Sequence, residues 1–191
     1  MFQRRPYFGD FNNQYLPPRV ATMPNSLYQS LQGKYFVGYA DNLTFGNGTS
    51  AWAGLINPKN SNVNLHVNVY TITDFAEPPI DVQVWFNAAL PGNPVGTKHV
   101  TPANTAIYPL PAPNVRLLSA SNVTGLPQGG VNAASRRSIP GQTIAEESNG
   151  IYIFPPGGSF TIFLTNVSGV ETPGIVRVAF GWWEEHIYKY Y

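Results

Sequence analysis

The clearest regularity in the chain is the stretch 62–75, NVNLHVNVYTITDF, where Val63, Leu65, Val67 and Val69 alternate with Asn62, Asn64, His66 and Asn68. A period of two puts the aliphatics on one face of a strand and the polar residues on the other, whereas a helix would scatter them around its circumference. At about 3.3 Å per residue, the run 62–73 predicts a strand roughly 40 Å long. Other segments repeat the period. Ile80, Val82, Val84 and Phe86 alternate with Asp81, Gln83 and Trp85, which places Asp81 on a polar face and Trp85 pointing outward. Phe160, Ile162 and Leu164 alternate within 160–165, and Val176, Val178, Phe180 and Trp182 within 175–182. Further strands are predicted at 35–39, 51–56 and 151–154, with weaker patterns at 98–101, 105–110 and 115–120. Turn chemistry such as Gly46-Asn47-Gly48, Pro91-Gly92 and Pro155-Pro156-Gly157-Gly158 separates them. Strands at this spacing predict an all-β chain: a single jelly-roll-type β-sandwich of about eight strands in two packed sheets. The only helical signal is a short turn at 25–31 with Asn25 or Ser26 as its cap. The segment 122–149, poor in aliphatics, reads as a long loop with the basic doublet Arg136-Arg137 at a solvated tip.

Residues 1–24 follow neither period. Phe2, Tyr7, Phe8, Phe11, Tyr15 and Leu16 are spaced irregularly among Pro6, Gly9, Pro17, Pro18 and Pro24. Such a segment is an extended arm with sticky side chains, richer in aromatics than disordered tails are. The chain thus divides into an N-terminal arm, 1–24, and a jelly-roll domain, 25–191. Twenty-four extended residues reach up to about 80 Å, twice the roughly 40 Å width of a domain of the remaining length. The arm can therefore act as a connector across a neighbouring subunit.

Composition narrows the function. Charged residues make up 11% of the chain, well below the usual quarter, and the formal net charge is +1. There is no electrostatic basis for nucleic acid or an anionic membrane as partner. Such a surface is weakly self-repelling and suited to being covered by copies of itself. No apolar run has transmembrane length and residues 1–25 lack a signal-peptide core, so the expected route is synthesis in a cytoplasm. The absence of cysteine removes disulfides, thiolate catalysis and Cys-type zinc sites together.

Candidate chemistry is sparse, and no catalytic residue, cofactor or metal site is expected. His66, His99 and His186 are far apart in sequence, and His186 beside Glu184-Glu185 reads as a surface cluster. No G-x-S-x-G elbow occurs, and Phe45-Gly46-Asn47-Gly48-Thr49 lacks the lysine and spacing of a phosphate loop. Asn-x-Ser/Thr at Asn42, Asn47, Asn122 and Asn166 is near chance for this composition. Aromatics remain. Trp182 and Trp183 are adjacent in a strand, so one points in and the other out. Trp85, Trp183, Tyr188 and Tyr190 are therefore candidates for a surface or interface, and Trp85 or Trp183 could stack a sugar.

From about Asn25 onward the chain resembles a domain-of-unknown-function family from spore-forming Gram-positive bacteria. The resemblance rests on SLYQSLQGKYFVG (26–38), LTFGNGTSAWAGLINPKNSNVNLHVNVYTI (43–72), IFPPGGSF (153–160) and VAFGWWEE (178–185). It implies no activity. In plan the chain is also similar to the subunits of endospore appendages, jelly rolls that polymerise through an N-terminal connector. It departs from them in lacking the cysteines that cross-link those connectors. The function expected is a structural subunit that assembles non-covalently into a filament, appendage or surface layer on the cell or spore exterior, its arm adding main-chain hydrogen bonds to an open sheet edge of a neighbouring copy and inserting Phe8, Phe11 and Tyr15 into apolar grooves. The alternatives are a carbohydrate- or surface-binding β-sandwich module and a phage or virion structural protein.

Overall fold

A computed structural model describes residues 22–75, 79–167 and 172–187. Helix α1 (Asn25–Leu31) is followed by eleven strands: β1 (Tyr35–Phe45), β2 (Ser50–Ile56), β3 (Val63–Asp74), β4 (Ile80–Phe86), β5 (Val95–Gly96), β6 (Val100–Pro102), β7 (Arg116–Val123), β8 (Val131–Ser138), β9 (Thr143–Phe154), β10 (Ser159–Asn166) and β11 (Gly174–His186). They form two antiparallel sheets packed as a sandwich, one in the order β6-β1-β11-β3-β9 and the other β5-β7-β2-β10-β4-β8.

The pairing is nested. β1 pairs with β11, β2 with β10, β3 with β9 and β4 with β8. The first four strands thus run against the last four like one long hairpin rolled up, which is the jelly-roll arrangement. The short strands β5 and β6, with β7, lie between β4 and β8 in sequence and extend one side of each sheet. The core is made of the inward-facing positions of both sheets. Phe160, fully buried, lies at its centre, in contact with the rings of Tyr70, Phe86, Tyr152, Phe154 and Phe180. Trp182 is also fully buried, beside Phe36.

Several expectations need correction. The segment 122–149 is not a long loop: it holds β8 and most of β9, joined by a turn at 139–142 that carries the chain from one sheet to the other. Its polar composition suits edge strands, which have one neighbour and need few aliphatics. Within it, Arg137 forms a two-bonded ion pair with Asp81 on β4. Arg136 pairs with Glu146 on β9, so this arginine ties edge strands of the two sheets together. No strand forms at 105–110, which instead contains the cis Tyr108-Pro109 bond. The helix cap is Pro24, not Asn25 or Ser26, and no side chain bonds to the helix start.

The long strand keeps its predicted span but breaks its period. Val67 pairs with Trp182 and Val69 with Gly181, so Asn68 is an extra residue, a β-bulge. Val63, Leu65 and Val67 point into the core. Beyond the bulge the phase reverses, sending Tyr70 and Ile72 inward and Val69 out. The many asparagines have a local role: Asn42, Asn47, Asn62, Asn87, Asn122 and Asn149 all sit at positive φ, where this side chain is tolerated best after glycine.

A candidate docking groove on an outer sheet face

Three neighbouring strands of the first sheet present small and aliphatic side chains to the outside. On β1 these are Val37 and Tyr39, paired with Gly181 and Ala179 on β11, which in turn oppose Val69 and Thr71 on β3. The two small residues of β11 make a floor, and the flanking residues make walls. A Cβ at position 181 would come within 2.4 Å of the Tyr35 hydroxyl and 2.8 Å of Val69, so glycine is what allows the walls to lean over the floor. The resulting groove has a volume of about 450 Å³ and is open to solvent. Val37 remains 38% exposed. Lys98 and His99, just before β6, close one side. On the other side Glu147 of β9 stands directly opposite Val69 in the register and is exposed. Neither Lys98 nor Glu147 has an ion-pair partner among the described residues.

Toward the α1 end the same face is covered. Four residues of β9, 148–151, bulge between its pairings with Val69 and Val67. Ser148 donates to the carbonyls of Val67 and Asn68 at 2.8 and 3.2 Å, pinning the bulge in place. Gly150, at φ +76°, lies so close to the indole of Trp183 that a Cβ would sit 1.8 Å from it. Trp183 does face outward as the alternation requires, but it is buried at 3% exposure between the rings of Tyr35 and His66. It therefore offers no stacking platform for a sugar, and that expectation is corrected. His66 has oxygen acceptors at both ring nitrogens, the Gly150 carbonyl at 3.3 Å and Glu185 at 3.1 Å. Asn68 donates to the Tyr35 hydroxyl at 2.8 Å. Burial nonetheless raises the Tyr35 pKa above the usual tyrosine value, because the phenolate would lose more hydration than this bond returns.

Beyond the open end, Arg177 makes two hydrogen bonds to Asp41 at 2.9 and 2.8 Å and lies over the Tyr39 ring, which stacks on His99 at 4.4 Å. The guanidinium hydrogen bond holds the Asp41 carboxyl below its ordinary pKa.

The second sheet's outer face is built differently. Trp52 and Phe163 are buried there with Ala120 and Val123, and the half-buried Trp85 packs against them. The segment 87–94 covers this cluster, and the Trp52 indole donates to the Pro91 carbonyl at 2.8 Å. Trp85 points outward as expected and bonds Gln83 at 2.8 Å.

Glu184 is buried and accepts from the backbone and side chain of Asn114, the Val115 amide and the Trp182 indole, anchoring the segment before β7. His186 is exposed. No group of three or more His, Asp or Glu could hold a metal ion among the described residues, and no described helix is long and apolar enough to cross a membrane. Phe2, Tyr7, Phe8, Phe11, Tyr15, Leu16, Tyr188 and Tyr190 lie outside the described residues. The groove itself escapes sequence reasoning. Its one legible sign is the Ala179-x-Gly181 pair on the polar phase of an otherwise large-residue strand.

Residues 12–189 match a family of unknown function (DUF6143), and the chain belongs to that family. The matched region includes Tyr15 and Leu16 and begins well before residue 25; of the candidate arm aromatics, Phe2, Tyr7, Phe8 and Phe11 lie ahead of it. No curated protein matches the chain.

Proposed function

We propose that this protein is a structural subunit that assembles non-covalently into a filament, appendage or surface layer on the exterior of a cell or spore, with the arm of residues 1–24 docking on neighbouring copies. The observation that carries this reading is the groove over Val37, Ala179, Gly181 and Val69, which no other described residue covers. An apolar, open-sided sheet face is the kind of surface that soluble proteins use for partners. A net charge of +1 leaves little repulsion between copies, and the arm provides the aromatic side chains such a face accepts. An arm that leaves one subunit and docks on a different surface of the next makes a head-to-tail contact, which does not close and so propagates. The resemblance to a family from spore-forming Gram-positive bacteria, and in plan to endospore appendage subunits, accords with this role. In a chain without cysteine, the contacts hold without covalent cross-links.

Negative-stain electron microscopy of the full-length protein beside a chain starting at Asn25 tests the reading. Filaments or sheets are expected from the first and dispersed particles from the second. Polymers that persist without the arm would sink the mechanism.

A further inference from the structure

Building on that reading, we infer that the groove is the acceptor for one particular segment, Arg4–Asp10 of the next copy, which crosses the strands of the sheet face obliquely. Charge and length both match. Glu147 stands on one side of the groove and Lys98 on the other, and neither is ion-paired among the described residues. They are carried on or next to the outermost strands of a five-stranded sheet, β9 and β6. Four inter-strand spacings of about 4.8 Å and an offset of about 10 Å along the strands, since Thr101 and not Lys98 is level with Glu147, put them roughly 22 Å apart. In the arm, RRPYFGD reads basic at one end, aromatic in the middle and acidic at the other. An extended chain alternates its side chains, so Arg4, Pro6, Phe8 and Asp10 share one face. Arg4 and Asp10 are then roughly 20 Å apart at about 3.3 Å per residue. Arg4 meets Glu147, Phe8 enters over Ala179 and Gly181, and Asp10 meets Lys98.

The stiffness of the connection to α1 assigns the acceptor to another copy. Pro17-Pro18 and Pro24 restrict that connection, and Pro24 itself is extended at φ −57°, ψ 140°. If extended, the stretch from Phe11 to Asn25 would span roughly 45 Å, about the width of the domain. The floor is a sheet face whose backbone groups are already paired between strands, so the arm docks by side chains and not by adding a strand.

The test uses two full-length variants that each remove one half of the contact, Phe8→Ser in the arm and Ala179→Glu in the groove. Analytical ultracentrifugation should find assemblies for the parent protein, monomers for each variant alone and a 1:1 dimer in their equimolar mixture, since one intact arm then meets one intact groove. A second pair guards against misfolding. Lys98→Glu should raise the concentration needed for assembly about fivefold, the size of an exposed ion pair, and Asp10→Lys in the same chain should restore it. Monomers in the mixture, beside a parent that assembles, would mean that the Phe8 segment and the Ala179 groove are not partners, and overturn the proposal. Assembly by Ala179→Glu at the parent concentration would also overturn the groove as acceptor while leaving self-assembly intact. A parent protein that is monomeric at all concentrations would overturn both.

Discussion

The two outer faces of the sandwich start from similar material and are finished differently. Both carry apolar side chains at outward positions, Trp52 and Phe163 on one and Val37, Val69 and Ala179 on the other. On the second sheet the chain supplies its own cover, the segment 87–94, and the tryptophan is buried to 2% exposure. On the first sheet the cover stops at the β9 bulge, which shields Trp183 and leaves the groove beside it open. The difference lies in what the face asks for. Large aromatics would expose 150–250 Å² each and need an internal cover. A floor of glycine and alanine exposes little of its own and leaves room for a side chain from elsewhere. The same sheet face thus contains a finished half and an unfinished half, separated by one strand irregularity.

That contrast can be broken by substitution. On the covered face, Trp52→Ala should cost about 3–5 kcal/mol in urea unfolding, the range for truncating a buried aromatic. At the boundary, Gly150→Ala should cost about 2–3 kcal/mol, because the new methyl meets the Trp183 ring and the backbone there is left-handed. On the open half, Val37→Ser should change stability by about 0.5 kcal/mol or less while weakening assembly. A large loss of stability at Val37 would show that the groove is part of the core after all and remove the distinction.

The smallest effect concerns pH at the groove's far rim. Asp41 has its pKa lowered in the folded state, chiefly by the hydrogen bond from Arg177. The unfolded state therefore takes up a proton first as pH falls, so the pair's contribution is present above the ordinary aspartate value near 3.8 and is lost as pH drops through the folded-state value below it. Thermal melts of Asp41→Asn should match those of the parent at low pH and fall slightly below them near neutrality. The pair is exposed, so the gap should be small. An equal gap at every pH would place the effect in packing and not in charge.

Much of the fold is legible in the sequence, for reasons that differ by element. β3, β4, β10 and β11 are central strands packed on the core, and burial on one face writes itself as a period of two. β8 and the first half of β9 read as loop because edge strands tolerate a polar sequence, so Asn132, Ser135 and the arginine doublet give no alternation to see. Alternation does put Trp183 on the outward phase, yet its burial depends on a bulge 33 residues away in sequence, at Gly150.

By itself the sequence determined the class of the protein. Its periods require half-buried strands, its glycines and prolines require short turns, and its uncharged composition requires few solvated faces. Only the tertiary structure decided which outward residues are covered and which are free. The phase reversal at Asn68 moved Val69 from core to groove, and the pairing of β1, β11 and β3 brought Val37, Ala179 and Val69 side by side. Alternation is a property of one strand and can be read along the chain. A groove is a property of three strands in register, and register is set by long-range pairing that no single stretch contains.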